Sequence, residues 1–173
     1  MKDLFTDRLI LRKVTINDLD DLFNNWGSDI NTTKFLTFKT HSSKEDTMKF
    51  INNWINKYEK GGLEWAIELK ENYQVIGMIS ADKSYKYKCV EISYSISSKY
   101  WNKGLITEAL KEVVKYLLDE CDYNIIEAII PSNNIGSIRV AEKSGLTLEA
   151  SLKNRYKDKD GIVQDLYIYS IIK

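Results

Sequence analysis

Tyr100-Trp101-Asn102-Lys103-Gly104-Leu105-Ile106-Thr107-Glu108-Ala109-Leu110 sets the reading of this chain. A β-rich segment runs straight into a glycine-containing turn, and the turn opens an amphipathic helix. The apolar stripe of that helix is Leu110, Val113, Val114, Leu117 and Leu118. A turn of this kind presents backbone N–H groups at the positive end of a helix dipole, which suits a phosphate or pyrophosphate. Lys103 adds a mobile positive charge. One glycine before a helix is common, so the reading needs a second motif.

That motif is Asn133-Asn134-Ile135-Gly136-Ser137-Ile138-Arg139-Val140-Ala141-Glu142-Lys143-Ser144-Gly145-Leu146. It follows Ile125 to Pro131, a nearly continuous apolar run that fits a strand covered on both faces. A short helix is predicted from about Gly136 to Ser144, ending at Gly145.

Upstream, Thr6 to Val14 reads as a first strand. A helix follows, started by Thr15 and Asp18, with Leu19, Leu22, Phe23 and Trp26 as its stripe and Gly27 as its end. Residues 28–41 have little helical period. Ser42 or Ser43 caps a second helix that buries Ile51, Trp54, Ile55 and Tyr58 and stops at Gly61-Gly62. Strands are predicted over Trp65 to Lys70, Gln74 to Ala81 and Cys89 to Ser97, as an antiparallel meander separated by polar turns. In the third, Glu91, Ser93 and Ser95 share the polar face. Strands over Leu146 to Lys153 and Val163 to Ile172 finish the chain across a turn at Asp158 to Gly161.

The 173 residues are 43% hydrophobic and 29% charged, with 25 basic and 25 acidic side chains and no formal net charge. This describes a globular chain with a real core. There is no basic footprint for DNA or an anionic membrane. No stretch approaches the ~20 apolar residues of a membrane-spanning helix. The N-terminus lacks the apolar run of a signal peptide, so a cytoplasmic location with reduced thiols is expected. Two isolated cysteines and one histidine argue against a metal site. His41 lies in a polar stretch and reads as a surface residue.

The two motifs, in this order and spacing, resemble the GCN5-related N-acetyltransferase (GNAT) family. Within it the likeness is to the branch that acetylates ribosomal protein N-termini, which often reads Y-W-G-K-G-x-A-T-E-A-L and then N-x-x-S-x-R-V-x-E-K-x-G-F. Thr6-Asp7-Arg8-Leu9-Ile10-Leu11-Arg12 looks like its first strand, so the resemblance covers nearly the whole chain. It implies one N-acetyltransferase domain over residues 1–173, of α/β (α+β) class. The central sheet is expected to be mixed and mostly antiparallel, with about seven strands, helices on both faces and a splay between the fourth and fifth strands.

The resemblance also implies acetyl-coenzyme A as cosubstrate and no metal. Ile96 and Ser97 would offer free backbone groups to the pantetheine arm. The turn formed by Asn102, Lys103, Gly104, Leu105, Ile106 and Thr107 would take the pyrophosphate, and Asn134 would hydrogen-bond the pantetheine. The family pattern R/Q-x-x-G-x-G/A has Trp101 at its first position here and Ile106 at its last. That β-branched residue narrows the space, although the contact is made by backbone amides.

Glu91 sits where the family commonly carries a general base, with Glu64 as the rival. Ser137 is the candidate acid, because the tyrosine many relatives use is replaced by Ala141. Trp26, Phe35, Phe38 and Trp65 are candidates for acceptor binding, and each also fits a core role.

The expected reaction is acetyl transfer to a primary amine, a protein N-terminal α-amine or a small molecule, by direct attack in a ternary complex. The alternatives are a non-catalytic acyl-coenzyme A sensor and an aminoglycoside- or polyamine-type enzyme. The expected partner is the amine acceptor, a protein N-terminus or a small molecule, with no DNA and no membrane, and the expected state is a monomer or homodimer.

Overall fold

A computed structural model describes residues 1–84 and 87–173. Eight strands form one mixed sheet in the order β1-β2-β3-β4-β5-β6-β8-β7. Their ranges are β1 Leu4–Phe5, β2 Leu9–Arg12, β3 Leu63–Leu69, β4 Val75–Lys83, β5 Cys89–Ile96, β6 Ile125–Pro131, β7 Thr147–Lys157 and β8 Val163–Ile172. The helices are α1 Leu19–Leu22, α2 Ile30–Thr33, α3 Lys44–Tyr58, α4 Leu105–Asp119 and α5 Ile135–Lys143. The extra strand is β1, two residues paired antiparallel with β2. Part of the turn expected between β4 and β5 falls on residues 85–86, outside the described residues.

Two compact units divide the chain, Met1–Ala81 with Tyr94–Glu112, and Asp82–Ser93 with Val113–Lys173. In the first, β2 pairs antiparallel with β3, and β3 with β4. Every residue of β3 is buried, as is β4 up to Ala81. A strand buried at successive residues is covered on both faces, because its side chains alternate.

The helical run after β2 includes a departure from the sequence expectation. A 3-10 turn over Ile16–Asp18 leads into α1, which passes into a π turn over Phe23–Gly27. The wider turn lies where Trp26 enters the core. Its ring sits 5.4 Å from Phe38 and 5.0 Å from Phe50, centroid to centroid. Leu22, Ile51, Trp54, Ala66 and Met78 belong to the same cluster. Truncating a core tryptophan of this kind to alanine costs ~3–5 kcal/mol.

His41 is buried in that cluster, contrary to the surface position expected for it. Its Nδ1 lies 2.8 Å from Thr47 Oγ1, and its ring is 5.0 Å from Phe38. Burial holds its pKa below the ordinary value, against the opposing pull of Asp46. Gly27 permits the approach, since a Cβ there would lie 2.4 Å from His41 Nδ1. The polar neighbours of His41 in sequence, Thr40, Ser42 and Ser43, carried no signal of this cluster.

Further along, α2 is a short helix inside the stretch expected to be irregular. Ser43 is the cap of α3, its hydroxyl accepting from Asp46 N–H.

In the second unit, β6 pairs with β8 and β8 with β7, both antiparallel. β7 extends to Lys157, beyond the Lys153 expected, and most of its residues are exposed. The parallel ladder of β5 with β6 covers three pairs, Cys89–Ile125, Val90–Ile126 and Glu91–Glu127. Among the described residues the ladder ends at that third pair, partway along β5.

Candidate active site

After β5, a 3-10 turn over Ser98–Tyr100 leads through Trp101 to Gly104 and into α4. Asn102 and Gly104 both have left-handed backbone, at φ 60° and 74°. Alternation of this sort gathers successive N–H groups into an anion-binding concavity. Gly104 accepts the first helical bond, from Glu108 N–H at 3.0 Å. The N–H groups of Leu105, Ile106 and Thr107 precede that bond and have no acceptor within the helix. A glycine in this place has no side-chain oxygen to cap them, so they remain suited to a ligand. Lys103 is exposed, its Nζ 4.9 Å from the Tyr100 ring centroid, and Ile106 is half-buried.

The turn is braced from far away in sequence. Glu108 Oε1 accepts from Thr6 Oγ1 at 2.5 Å and from Arg8 N–H at 2.9 Å. Its Oε2 accepts from Arg8 Nε at 2.7 Å and Nη2 at 2.6 Å, and Arg8 Nη1 donates to the Lys103 carbonyl at 3.1 Å. Burial alone would raise the Glu108 pKa, but the bonds from Thr6 and Arg8 outweigh it and hold the carboxyl below its ordinary value. A cavity of about 510 Å³ adjoins this brace, lined by Asp7, Arg8, Leu69, Lys70, Glu71, Tyr100, Lys103 and Leu105.

Backbone groups at the end of β5 are already engaged, in contrast to the free groups expected at Ile96 and Ser97. The Ile96 carbonyl accepts from Trp101 Nε1 at 3.0 Å, and Ser97 N–H donates to the Ile76 carbonyl at 2.8 Å. The first bond arises because the chain doubles back after Ser97; the second belongs to the contact of β5 with β4. Asp29 fixes the next residue, its Oδ2 accepting from Ser98 N–H at 3.2 Å and Thr32 Oγ1 at 2.6 Å. Arg8, Glu108, Asp29 and Trp101 were not singled out as bracing residues in the sequence. Arg8 and Glu108 stand inside the quoted motifs, but nothing local says that they meet.

In the second unit, Glu91 is half-buried and occupies the last pair of the parallel ladder, opposite buried Glu127. Glu127 pairs in turn with Ser170 of β8, whose hydroxyl donates to Glu149 at 2.6 Å. At the start of α5 the cap is Asn134, whose Oδ1 accepts from Ser137 N–H at 3.2 Å. Ser137 therefore receives the cap instead of providing it, and its side chain is half-buried.

The other candidates separate by burial. Glu64 is buried and its Oε1 lies 3.1 Å from Lys57 Nζ, an ion pair that withdraws it from the role of accessible base. Trp65 is fully buried and donates from Nε1 to the Lys2 carbonyl, so it has no surface for an acceptor. Trp26 is also core, with its Nε1 reaching Ser95 Oγ at 2.8 Å on the face of β5 expected to be polar. Phe35 and Phe38 are half-buried. Among the described residues, no group of three His, Cys, Asp or Glu side chains is placed to hold a metal ion, and no helix is long and apolar enough to cross a membrane.

Residues 8–147 match the acetyltransferase (GNAT) domain family. The chain is 31% identical over 172 residues to the uncharacterized N-acetyltransferase YoaA of Bacillus subtilis (strain 168), covering 98% of this chain and 96% of that relative. A crystal structure of a GNAT-family acetyltransferase from Bacillus anthracis superposes with a TM-score of 0.87 at 26% identity, over 99% of this chain and 98% of that one. The ribosomal-protein-S5-alanine acetyltransferase of Vibrio fischeri has the same fold, with a TM-score of 0.85 at 16% identity over 99% of this chain and 97% of that one. With the family match running from β2 into β7 and a relative aligned along almost the full length, the chain belongs to the GNAT family of acetyltransferases.

Proposed function

We propose that the chain, acting as one domain over residues 1–173, transfers the acetyl group of acetyl-coenzyme A to a primary amine, with a protein N-terminal α-amine favoured over a small molecule. The observation that carries the coenzyme part is the start of α4, where Asn102 and Gly104, both at positive φ, turn the backbone before Leu105 into a concavity of N–H groups. A pyrophosphate there meets a helix dipole and several donors at once. Asn134 holds its own helix with the amide oxygen, which leaves the NH₂ side as the group for the pantetheine. Ile96 and Ser97 contribute through the shape of the strand end.

The amine nitrogen attacks the thioester carbonyl, and a C–N bond forms as the C–S bond breaks. Glu91 takes the proton from the amine, directly or through a water, and Ser137 supplies one to the departing thiolate. Deprotonation is the step most in need of help, because a free amine is mostly protonated near neutral pH and a thiol of pKa ~8.5 leaves readily. Phe35 and Phe38 contact the acceptor, and Trp26 shapes its site from beneath. The compartment is the cytoplasm.

The test is thiol release from acetyl-coenzyme A with peptides bearing a free N-terminus, the same peptides blocked by N-terminal acetylation, and free polyamines. Release only with the unblocked peptides supports the reading. Release with polyamines alone makes the chain a small-molecule enzyme. Coenzyme binding without release to any amine makes it a sensor.

A further inference from the structure

We propose that Arg8 is a positioning residue for the coenzyme, acting through Glu108 and the Lys103 carbonyl to keep the start of α4 receptive to an anion. This rests on the reading that the turn from Asn102 to Thr107 takes the pyrophosphate. Glu108 lies in the first turn of α4. A carboxylate there is favourable to the bare helix dipole, yet it opposes a second anion brought to the same terminus. Its field reaches across the whole turn, since screening in 0.1 M salt acts over ~10 Å.

Arg8 removes that opposition. Its Nε and Nη2 both meet Oε2 of Glu108, while its own backbone N–H and the Thr6 hydroxyl meet Oε1. The carboxylate is thus satisfied on the side of the β1–β2 bend and its charge is matched. Lys70 strengthens the bend, donating from Nζ to the Thr6 carbonyl and from its backbone N–H to the Arg8 carbonyl.

The remaining guanidinium nitrogen does a second job. Nη1 holds the Lys103 carbonyl at 3.1 Å. In a trans peptide the carbonyl and the following N–H point in opposite directions. Fixing the Lys103 oxygen toward Arg8 therefore aims the Gly104 N–H away from Arg8, in a peptide that leads into Gly104 at φ 74°. Charge compensation and peptide orientation come from one side chain, acting through Glu108 and the Lys103 carbonyl.

The test is titration of acetyl-coenzyme A into wild type, Arg8→Met, Glu108→Gln and the double variant, with melting curves and steady-state kinetics alongside. Arg8→Met is expected to weaken binding about tenfold, the effect of ~1.4 kcal/mol at a helix terminus. The loss appears in KM for acetyl-coenzyme A, leaves kcat within about twofold, and shrinks as salt rises. Adding Glu108→Gln to Arg8→Met removes the unmatched charge and brings the loss back to about threefold, the remainder being the lost hold on the Lys103 carbonyl, while Glu108→Gln alone, which keeps Arg8, weakens binding by about threefold at most. A merely structural brace gives another pattern, in which each single change weakens binding and the double is no better. That pattern, or an unchanged affinity in Arg8→Met, overturns the inference. If Arg8→Met does not fold, Glu108→Gln decides by itself, and a tenfold weakening there overturns it. A folded wild type that binds no acetyl-coenzyme A overturns the coenzyme reading, which separates the two failures.

Discussion

The starts of α4 and α5 solve the same problem in opposite ways. Both leave backbone N–H groups without helical partners, as every helix does. In α5 the answer is local: Asn134 caps Ser137, three positions away in sequence. In α4 the cap position is Gly104, which has no oxygen to offer, and the brace comes from Thr6 and Arg8, with Glu108 and Arg8 100 residues apart. One terminus engages the Ser137 donor in a cap of its own. The other is held from outside and keeps its donors for something else. Under the coenzyme reading, a helix start with glycine at its cap position and a brace from outside is left open to an anion.

The comparison breaks most severely at Gly104. Replacing it with valine puts a β-branched side chain at φ 74°, a strain of ~1–3 kcal/mol or more. Because the residue sets the direction of the N–H groups around it, coenzyme affinity should fall by about 100-fold, converted at ~1.4 kcal/mol per decade. Calorimetric titration checks this, and a Gly104→Val protein that is folded and binds normally would remove α4 as the pyrophosphate site.

Glu91→Gln should cost about as much in a different quantity, lowering kcat by ~10²-fold, the low end of the range of a general base, with coenzyme affinity unchanged. The deficit should be greatest near neutral pH and shrink at high pH, where the amine deprotonates unaided. A pH–rate profile parallel to wild type would take the base assignment away from Glu91. Ser137→Ala is expected to slow thiolate departure by a smaller factor, read as kcat in single-turnover assays.

Most of the fold was legible because its signals are local. The alternation of β5, the stripe of α4 and the apolar run of β6 each name their element within a few residues. The glycine turn was legible for the same reason. The strand-end bonds of Ile96 and Ser97, the burial of His41 and the Arg8–Glu108 brace were not, because each joins residues whose meeting depends on the chain path. Trp65 illustrates the limit: an indole that binds an acceptor and an indole in the core look alike in sequence. Here zero exposure and the bond to the Lys2 carbonyl decide for the core.

Acid should separate the two helix starts. The folded Glu108 pKa lies below its unfolded value, so its contribution is fully present above the unfolded pKa of ~4.3 and is lost as pH falls through the folded value. The Asn134 amide does not titrate. Exchange of the first bonded amides of α4, from Glu108 N–H onward, should therefore accelerate at lower acidity than that of the capped Ser137 N–H of α5, once the intrinsic pH dependence is removed. Equal loss of protection at both termini would count against an ionic brace.

Asn134→Ala carries the smallest expected effect, ~1 kcal/mol of stability from the lost cap, with coenzyme affinity reduced by only a few fold. A melting curve and the same titration measure both.

The most direct test of the account is isothermal titration of the folded wild-type chain with acetyl-coenzyme A and, in parallel, free coenzyme A. The account predicts saturable micromolar binding of both ligands, since the turn at Gly104 reads the pyrophosphate they share. The absence of a binding isotherm from a folded sample would contradict it and would mean that Ile106 closes the turn to the coenzyme.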